Sequence, residues 1–152
     1  MRNIVTILFL LSLFSCASNS NFEKTVFFDS KGKHYNSTTA GREIKKEYDL
    51  YEAPKLILLA TSNSNLENFK LQLEIIHKID AEQYQYLYIL ANSKTIDESG
   101  YYTSKTEAES ILKNKEFKIL IYNKNGDLVL SSSSPLEKEA ILNHLTKSSS
   151  GR

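Results

Sequence analysis

The chain has 152 residues, 41% hydrophobic and 24% charged, which suffices for one domain with a buried core. Glycine (5) and proline (2) are too scarce for a fibrous or low-complexity chain. Lys plus Arg (19) nearly balances Asp plus Glu (18), so there is no basic field to attract nucleic acid and no acidic field to repel it.

Residues 1–15 read as a targeting segment. Arg2 gives the positive start, and Ile4 to Phe14 is apolar except for Thr6 and Ser12. The run is shorter than the roughly 20 residues of a membrane-spanning helix and suits the apolar part of a secretory signal. Leu13-Phe14-Ser15-Cys16 resembles a bacterial lipobox, with Leu at the third position before Cys16 and a small Ser directly before it. Cleavage there frees the Cys16 amine, and the thiol takes a diacylglycerol thioether. Several acyl chains of the palmitate type anchor stably where one binds only marginally. The residues leave two alternatives open: ordinary secretion with cleavage after Ala17, and a buried N-terminal helix. Removing residues 1–15 takes away Arg2 and no acid, so the processed chain is neutral. Ala17 and Ser18 stand where an Asp often retains lipoproteins in the inner membrane, so the expected location is the outer membrane, facing the periplasm.

Residues 16–50 are expected to be a lipidated tether with a short hairpin at 25–35, turning at Ser30-Lys31-Gly32-Lys33 and able to add an edge strand. Residues 36–49 are polar and show no clear period, and the sequon Asn36-Ser37-Thr38 is treated as chance. "KLILLA" (55–60) is a continuous apolar run and predicts a strand buried on both faces. "TSNSN" (61–65) is a polar loop ending in Asn65 as N-cap. Leu66, Phe69, Leu73 and Ile76 recur at helical spacing and predict a helix over 65–79.

"QYQYLYILA" (83–91) predicts a second strand, with Tyr84, Tyr86 and Tyr88 on one face, packed under a helix. A loop over 92–103 contains Tyr101 and Tyr102. Ser104-Lys105-Thr106-Glu107 has the spacing of a capping box and opens a helix to about 114. "FKILIY" (117–122) is a third strand, Asn123 to Gly126 a hairpin turn, and "DLVLS" (127–131) a fourth strand. Ser134-Pro135-Leu136-Glu137 reads as cap, first turn and box of a helix to about 146. Residues 148–152 form a tail.

The order β-α-β-α-β-β-α over 51–147 predicts an α/β thioredoxin-like domain. Its mixed four-stranded sheet is ordered 2-1-3-4, with the first helix opposite the other two. "APKLILLATSNSNLENFKLQLEII" and "FKILIYNKNGDLVLSSSSPLEKEAILNHL" are similar to the thioredoxin-like family named domain of unknown function 4174. That resemblance implies a fold and no established activity.

Thiol chemistry needs a thiolate at the N-terminus of the first helix. Thr61, Ser62, Asn63, Ser64 and Asn65 occupy that place, and Lys115-Glu116-Phe117 stands where thioredoxins carry a proline before the third strand. Thiol-disulfide exchange and peroxidase activity are therefore not expected. His34, His77 and His144 are widely spaced and have no cysteine partner, so no metal and no cofactor are expected. Asp97/Glu98 and Glu107/Glu109 read as solvated pairs. No nucleophile elbow or phosphate loop is present. The expected function is partner binding by a non-catalytic domain, the partner being an envelope protein or small ligand. Thr61 to Asn65 is the contact loop, and Tyr101 and Tyr102 form an aromatic patch. The alternative is an envelope enzyme of non-thiol chemistry on the same scaffold.

Overall fold

The computed structural model describes residues 24–64, 66–91 and 100–146. The signal segment, Cys16, the tether up to residue 23, Asn65, the pair Asp97/Glu98 and the tail lie outside the described residues. In chain order the elements are β1 (Val26–Asp29), β2 (His34–Asn36), α1 (Ala40–Glu47), β3 (Lys55–Thr61), α2 (Glu67–His77), α3 (Ala81–Tyr84), β4 (Tyr86–Ala91), β5 (Tyr101–Tyr102), α4 (Lys105–Leu112), β6 (Phe117–Tyr122), β7 (Leu128–Ser132) and α5 (Lys138–Thr146).

The strands form one mixed sheet ordered β2-β1-β5-β4-β3-β6-β7. The sheet therefore has seven strands, not four. β3 and β4 are parallel, and β3–β6 and β6–β7 are antiparallel. The order β4-β3-β6-β7 is that expected for the four strands read from sequence. The extra strands are short. β1 and β2 pair antiparallel as a hairpin, β1 pairs β5 antiparallel, and β5 meets β4 at Leu90↔Tyr102. Aromatic contacts, rather than long ladders, carry this extension: Phe27 stacks on Tyr35 at 5.5 Å and Phe28 on Tyr102 at 5.4 Å.

β3 and β6 are buried on both faces because helices cover both sides. Leu56, Leu58, Leu120 and Tyr122 point to one cluster with Phe27, Ile44, Ile111 and Leu112. Ile57, Leu59, Ile119 and Ile121 point to the other with Phe69, Ile76, Ile141 and Leu145. So α2 and α5 share one face, and α1 and α4 cover the other. This corrects the expectation that α2 stands alone. The apolar face of α5, carried by Ile141 and Leu145, meets the same odd-numbered strand residues as α2.

Local chemistry accounts for other departures. Residues 40–47 are helical: Ala40, Gly41 and Ile44 turn inward and leave the charged residues outside. β4 starts at Tyr86 because Asp80 caps α3, accepting from Glu82 N–H at 2.9 Å and Gln83 N–H at 3.0 Å. Tyr84 is thus helical, though it still packs with Tyr86 and Tyr88 against the α2 side. Ser104 does cap α4, accepting from Glu107 N–H at 3.1 Å. The Glu107 carboxylate does not close the box. It accepts from Val26 N–H at 2.9 Å and so ties α4 to β1; Glu107 is half-buried rather than solvated.

Ser134 is not the cap of α5, which begins at Lys138. Instead the amide of the fully buried Gln72 holds the Leu136 backbone. Its Oε1 accepts from Leu136 N–H at 2.6 Å, and its Nε2 donates to the Leu136 carbonyl at 3.4 Å. In the β6–β7 turn, Asn123 Oδ1 accepts from Asn125 N–H and Asp127 N–H, and Gly126 takes φ +87°. A Cβ on Gly126 would overlap the Thr38 backbone, so this turn packs directly on the start of α1.

Candidate functional site

Residues expected at a contact site meet at the C-terminal end of β3. Thr61 is buried as the last residue of that strand. Its Oγ1 lies 2.8 Å from the Asn63 carbonyl and 3.1 Å from the Glu116 carbonyl, and accepts from Asn63 N–H at 3.2 Å. Ser62 N–H donates to the Glu116 carbonyl at 3.0 Å. The loop is therefore stapled to the segment that enters β6. Ser62, Asn63 and Ser64 face solvent, and Asn65 lies outside the described residues.

Leu66 stands at the N-cap position of α2 and supplies no side-chain cap. The expected cap, Asn65, precedes it. Beside it lies a cleft of about 270 Å³, lined by Leu66, Asn68, Asn114, Lys115, Glu116, Phe117 and Ser133. The far wall is shaped by two successive left-handed residues after α4, Lys113 at φ +48° and Asn114 at φ +68°. Asn tolerates that conformation, so Asn114 is a turn signal that could have marked this wall, though none of the expectations above rests on it. Asn68, Glu116 and Ser133 had no such signal, since tertiary packing alone brings them together.

Two amides, one hydroxyl, one ammonium and one carboxylate line the cleft, with no thiol and no imidazole among its lining residues. Its chemistry is hydrogen bonding to a polar or extended ligand. Among the described residues, no group of His, Cys, Asp and Glu is arranged to hold a metal ion. No described helix is long and apolar enough to cross a membrane.

The shifted groups lie away from the cleft. Burial pushes the Tyr86 phenol up to about 12; its hydroxyl lies 3.0 Å from the carbonyls of both Ile76 and Ile79. The Tyr35 phenol is pushed up to about 12 as well, by burial first and then by its hydrogen bond to Glu47. Glu47 Oε2 accepts from Tyr35 at 2.7 Å and from Lys33 at 2.5 Å. Lys33 holds the Glu47 carboxyl below the usual range. Burial lowers the Lys55 ammonium pKa, and its Nζ donates to the Tyr84 carbonyl at 3.2 Å.

Tyr101 and Tyr102 form β5 and are not in a loop; both are half-buried. Tyr101 packs edge-on against Phe27 at 5.6 Å and Tyr35 at 6.1 Å. They join the β1–β2 hairpin to the sheet, with Tyr102 paired to Leu90, whose other neighbour is Leu59 on β3. His77 meets Tyr88, Nε2 to hydroxyl at 3.4 Å, and His144 is half-buried near the end of α5.

No family model matches the chain, so the likeness to domain of unknown function 4174 has no such match behind it. No curated protein matches it either. Among solved structures it is similar to the exposed lipoprotein thioredoxin Etrx1 of Streptococcus pneumoniae strain TIGR4. The identity is 15% and the TM-score 0.51, over 82% of this chain and 99% of that one. Copper-bound ScoI of Bradyrhizobium japonicum is similar at 9% identity and a TM-score of 0.49, over 82% of this chain and 96% of that one. At such identities the pneumococcal likeness speaks for architecture alone: the chain has a thioredoxin-like fold.

Proposed function

We propose that this is a lipid-anchored envelope protein whose thioredoxin-like domain is redox-inactive and binds a partner through the Thr61–Asn65 end. The partner is an envelope protein segment or a small polar ligand, and the expected location is the outer membrane, facing the periplasm. One observation carries the reading. Where thiol chemistry on this fold needs a thiolate, the chain presents Thr61, Ser62, Asn63 and Ser64, and the sequence's one cysteine is Cys16, within the lipobox-like stretch. A serine hydroxyl cannot replace a thiolate in disulfide exchange. The polar cleft beside Ser62 supports binding, since its amides and backbone groups suit an extended or polar ligand. The pneumococcal protein of similar fold is itself an exposed lipoprotein.

The test has two arms. Cys16→Ala should abolish fatty-acid labelling and move processed protein to the soluble fraction; labelled, membrane-bound variant protein would sink the anchor. The anchored wild-type protein should leave insulin disulfides intact, and thiol-dependent turnover by it would sink the inactive reading. For binding, a photo-crosslinker at Asn68 in intact envelopes should give a discrete adduct that a crosslinker at exposed Glu82 does not. Equal labelling from both positions would remove the cleft as the contact.

A further inference from the structure

Thr25 marks where the chain comes into the domain. It exchanges hydrogen bonds with Ser37: its N–H donates to Ser37 Oγ at 3.1 Å, and its carbonyl accepts from Ser37 N–H at 2.9 Å. Its hydroxyl lies 3.4 Å from that of Tyr122. The neighbouring Thr38 backbone is packed on Gly126 in the β6–β7 turn. Gly41 fits against the Pro54 and Lys124 carbonyls, where a Cβ would lie 2.8 Å and 3.5 Å from them. One end of the domain thus gathers the start of β1, the start of α1, the residues before β3 and the β6–β7 turn.

That end carries an open concavity of about 500 Å³ lined by Arg42, Lys45, Tyr51, Glu52, Lys124 and Asn125, with Ala53 at its floor. Arg42 and Lys45 are three residues apart on the exposed face of α1 and have no acidic partner among the described residues. Lys124 faces Glu52 across 3.9 Å. Glu43, also on α1, accepts a hydrogen bond from Thr39. Tyr51 is 88% exposed, and Tyr48 and Leu50 beside it are also exposed. An unpaired cationic pair rimmed by exposed Tyr suits a lipid-water interface, where Tyr lies at headgroup level and cations meet anionic lipid.

We propose that this end of the domain docks on the anionic headgroups of the membrane that holds the N-terminal lipid. The inference rests on the anchored reading above. The length of chain outside the structure commits the occupant. Seven residues, 17–23, separate Cys16 from Lys24, and that stretch spans at most about 30 Å even fully extended. The end where the chain comes in is therefore the one held over the bilayer, within reach of a surface potential that decays over about 8–10 Å. The Thr61 end of β3 lies at the other end of that strand from Pro54 and Lys55, so docking leaves the candidate cleft open to the periplasm.

The chain has no tryptophan, so Tyr51→Trp is a single reporter at an exposed position. Full-length lipidated protein is reconstituted into vesicles with phosphatidylglycerol and a headgroup-nitroxide lipid. Emission from Tyr51→Trp should be quenched at least two-fold more than from Leu71→Trp, which is on the exposed face of α2. The excess should vanish in phosphatidylcholine vesicles and in high salt. Arg42→Gln and Lys45→Gln should each lower the docked-to-undocked ratio about five-fold, the fold-change of about 1 kcal/mol per cation near an anionic surface. Equal quenching at both positions, quenching indifferent to lipid charge, or quenching that follows protein concentration instead would overturn the proposal. Protein that is anchored but unquenched at Tyr51→Trp overturns docking alone. Protein that fails to anchor with Cys16 intact overturns the anchored reading and docking together.

Discussion

Gln72 and Tyr86 are polar side chains placed to close backbone accounts that no ladder closes. Gln72 is the buried amide that satisfies Leu136 between β7 and α5. Gln72→Met keeps the volume and strands the Leu136 N–H, at a cost of about 1–3 kcal/mol. The denaturant midpoint should fall with the m-value unchanged. An unaltered midpoint would mean that water reaches Leu136. Tyr86 holds the end of α2 and the residues after it through the Ile76 and Ile79 carbonyls, so Tyr86→Phe should cost about 1 kcal/mol. It also has a pH signature. The Tyr86 and Tyr35 phenols stay protonated in the fold up to about 12, whereas in the unfolded chain they ionise near 10. The unfolded state loses the proton first, so this stability is fully present below about pH 10 and is lost as pH rises through about 12. The midpoint should hold to about pH 10 and then fall, and Tyr86→Phe should make that fall shallower. A midpoint rising between those values would contradict the sign.

At the scale of elements, what the sequence made legible follows from how each element is stabilised. "KLILLA" and "FKILIY" announced β3 and β6 because a strand buried on both faces must be apolar throughout. α1 was hidden because only Ala40, Gly41 and Ile44 are buried in a charged segment, and tertiary contact rather than propensity holds it. β5 was hidden because two residues carry no period, and the rings of Phe27, Phe28 and Tyr35 decide its place. The candidate loop was legible as polar and thiol-free, but its wall at Asn114–Phe117 was not, since that depends on Ser62 and Thr61 reaching Glu116. The β6–β7 turn was legible from Asn125-Gly126, though only Gly126 takes positive φ. Gly126→Ala adds strain of about 1–3 kcal/mol and an overlap with Thr38 that must push α1 away. The expected result is a lower midpoint together with faster proteolysis at Arg42 and Lys45. Loss of stability without new cleavage there would show that the turn, not α1, absorbs the overlap.

Across the whole molecule, the seven strands are not equally joined. β3 and β4 pair continuously from Lys55↔Tyr86 to Ala60↔Ala91, and β3 and β6 from Leu56↔Tyr122 to Thr61↔Phe117. The β2-β1-β5 flank meets this unit along the sheet at Leu90↔Tyr102. Phe27 and Tyr35, the Glu107 bond to Val26, the Thr25–Tyr122 hydroxyl contact and the exposed Lys33–Glu47 pair add to that junction. An exposed ion pair adds little, so the flank depends on its rings. It is also the part that follows the N-terminal residues, so on the anchored reading proposed above any pull from the membrane is borne there first. Native-state hydrogen exchange should therefore show β1 and β2 amides exchanging through a partial opening, at lower free energy than β3 and β6 amides, which exchange only on global unfolding. Phe27→Ala, which removes a fully buried ring, should cost about 3–5 kcal/mol and widen the gap. Its effect should fall on the flank, with the β3 and β6 amides keeping their order as the last to exchange. If β1, β2, β3 and β6 all exchange at one free energy, the flank is a full part of the cooperative core and its single junction with β4 does not govern how the molecule opens.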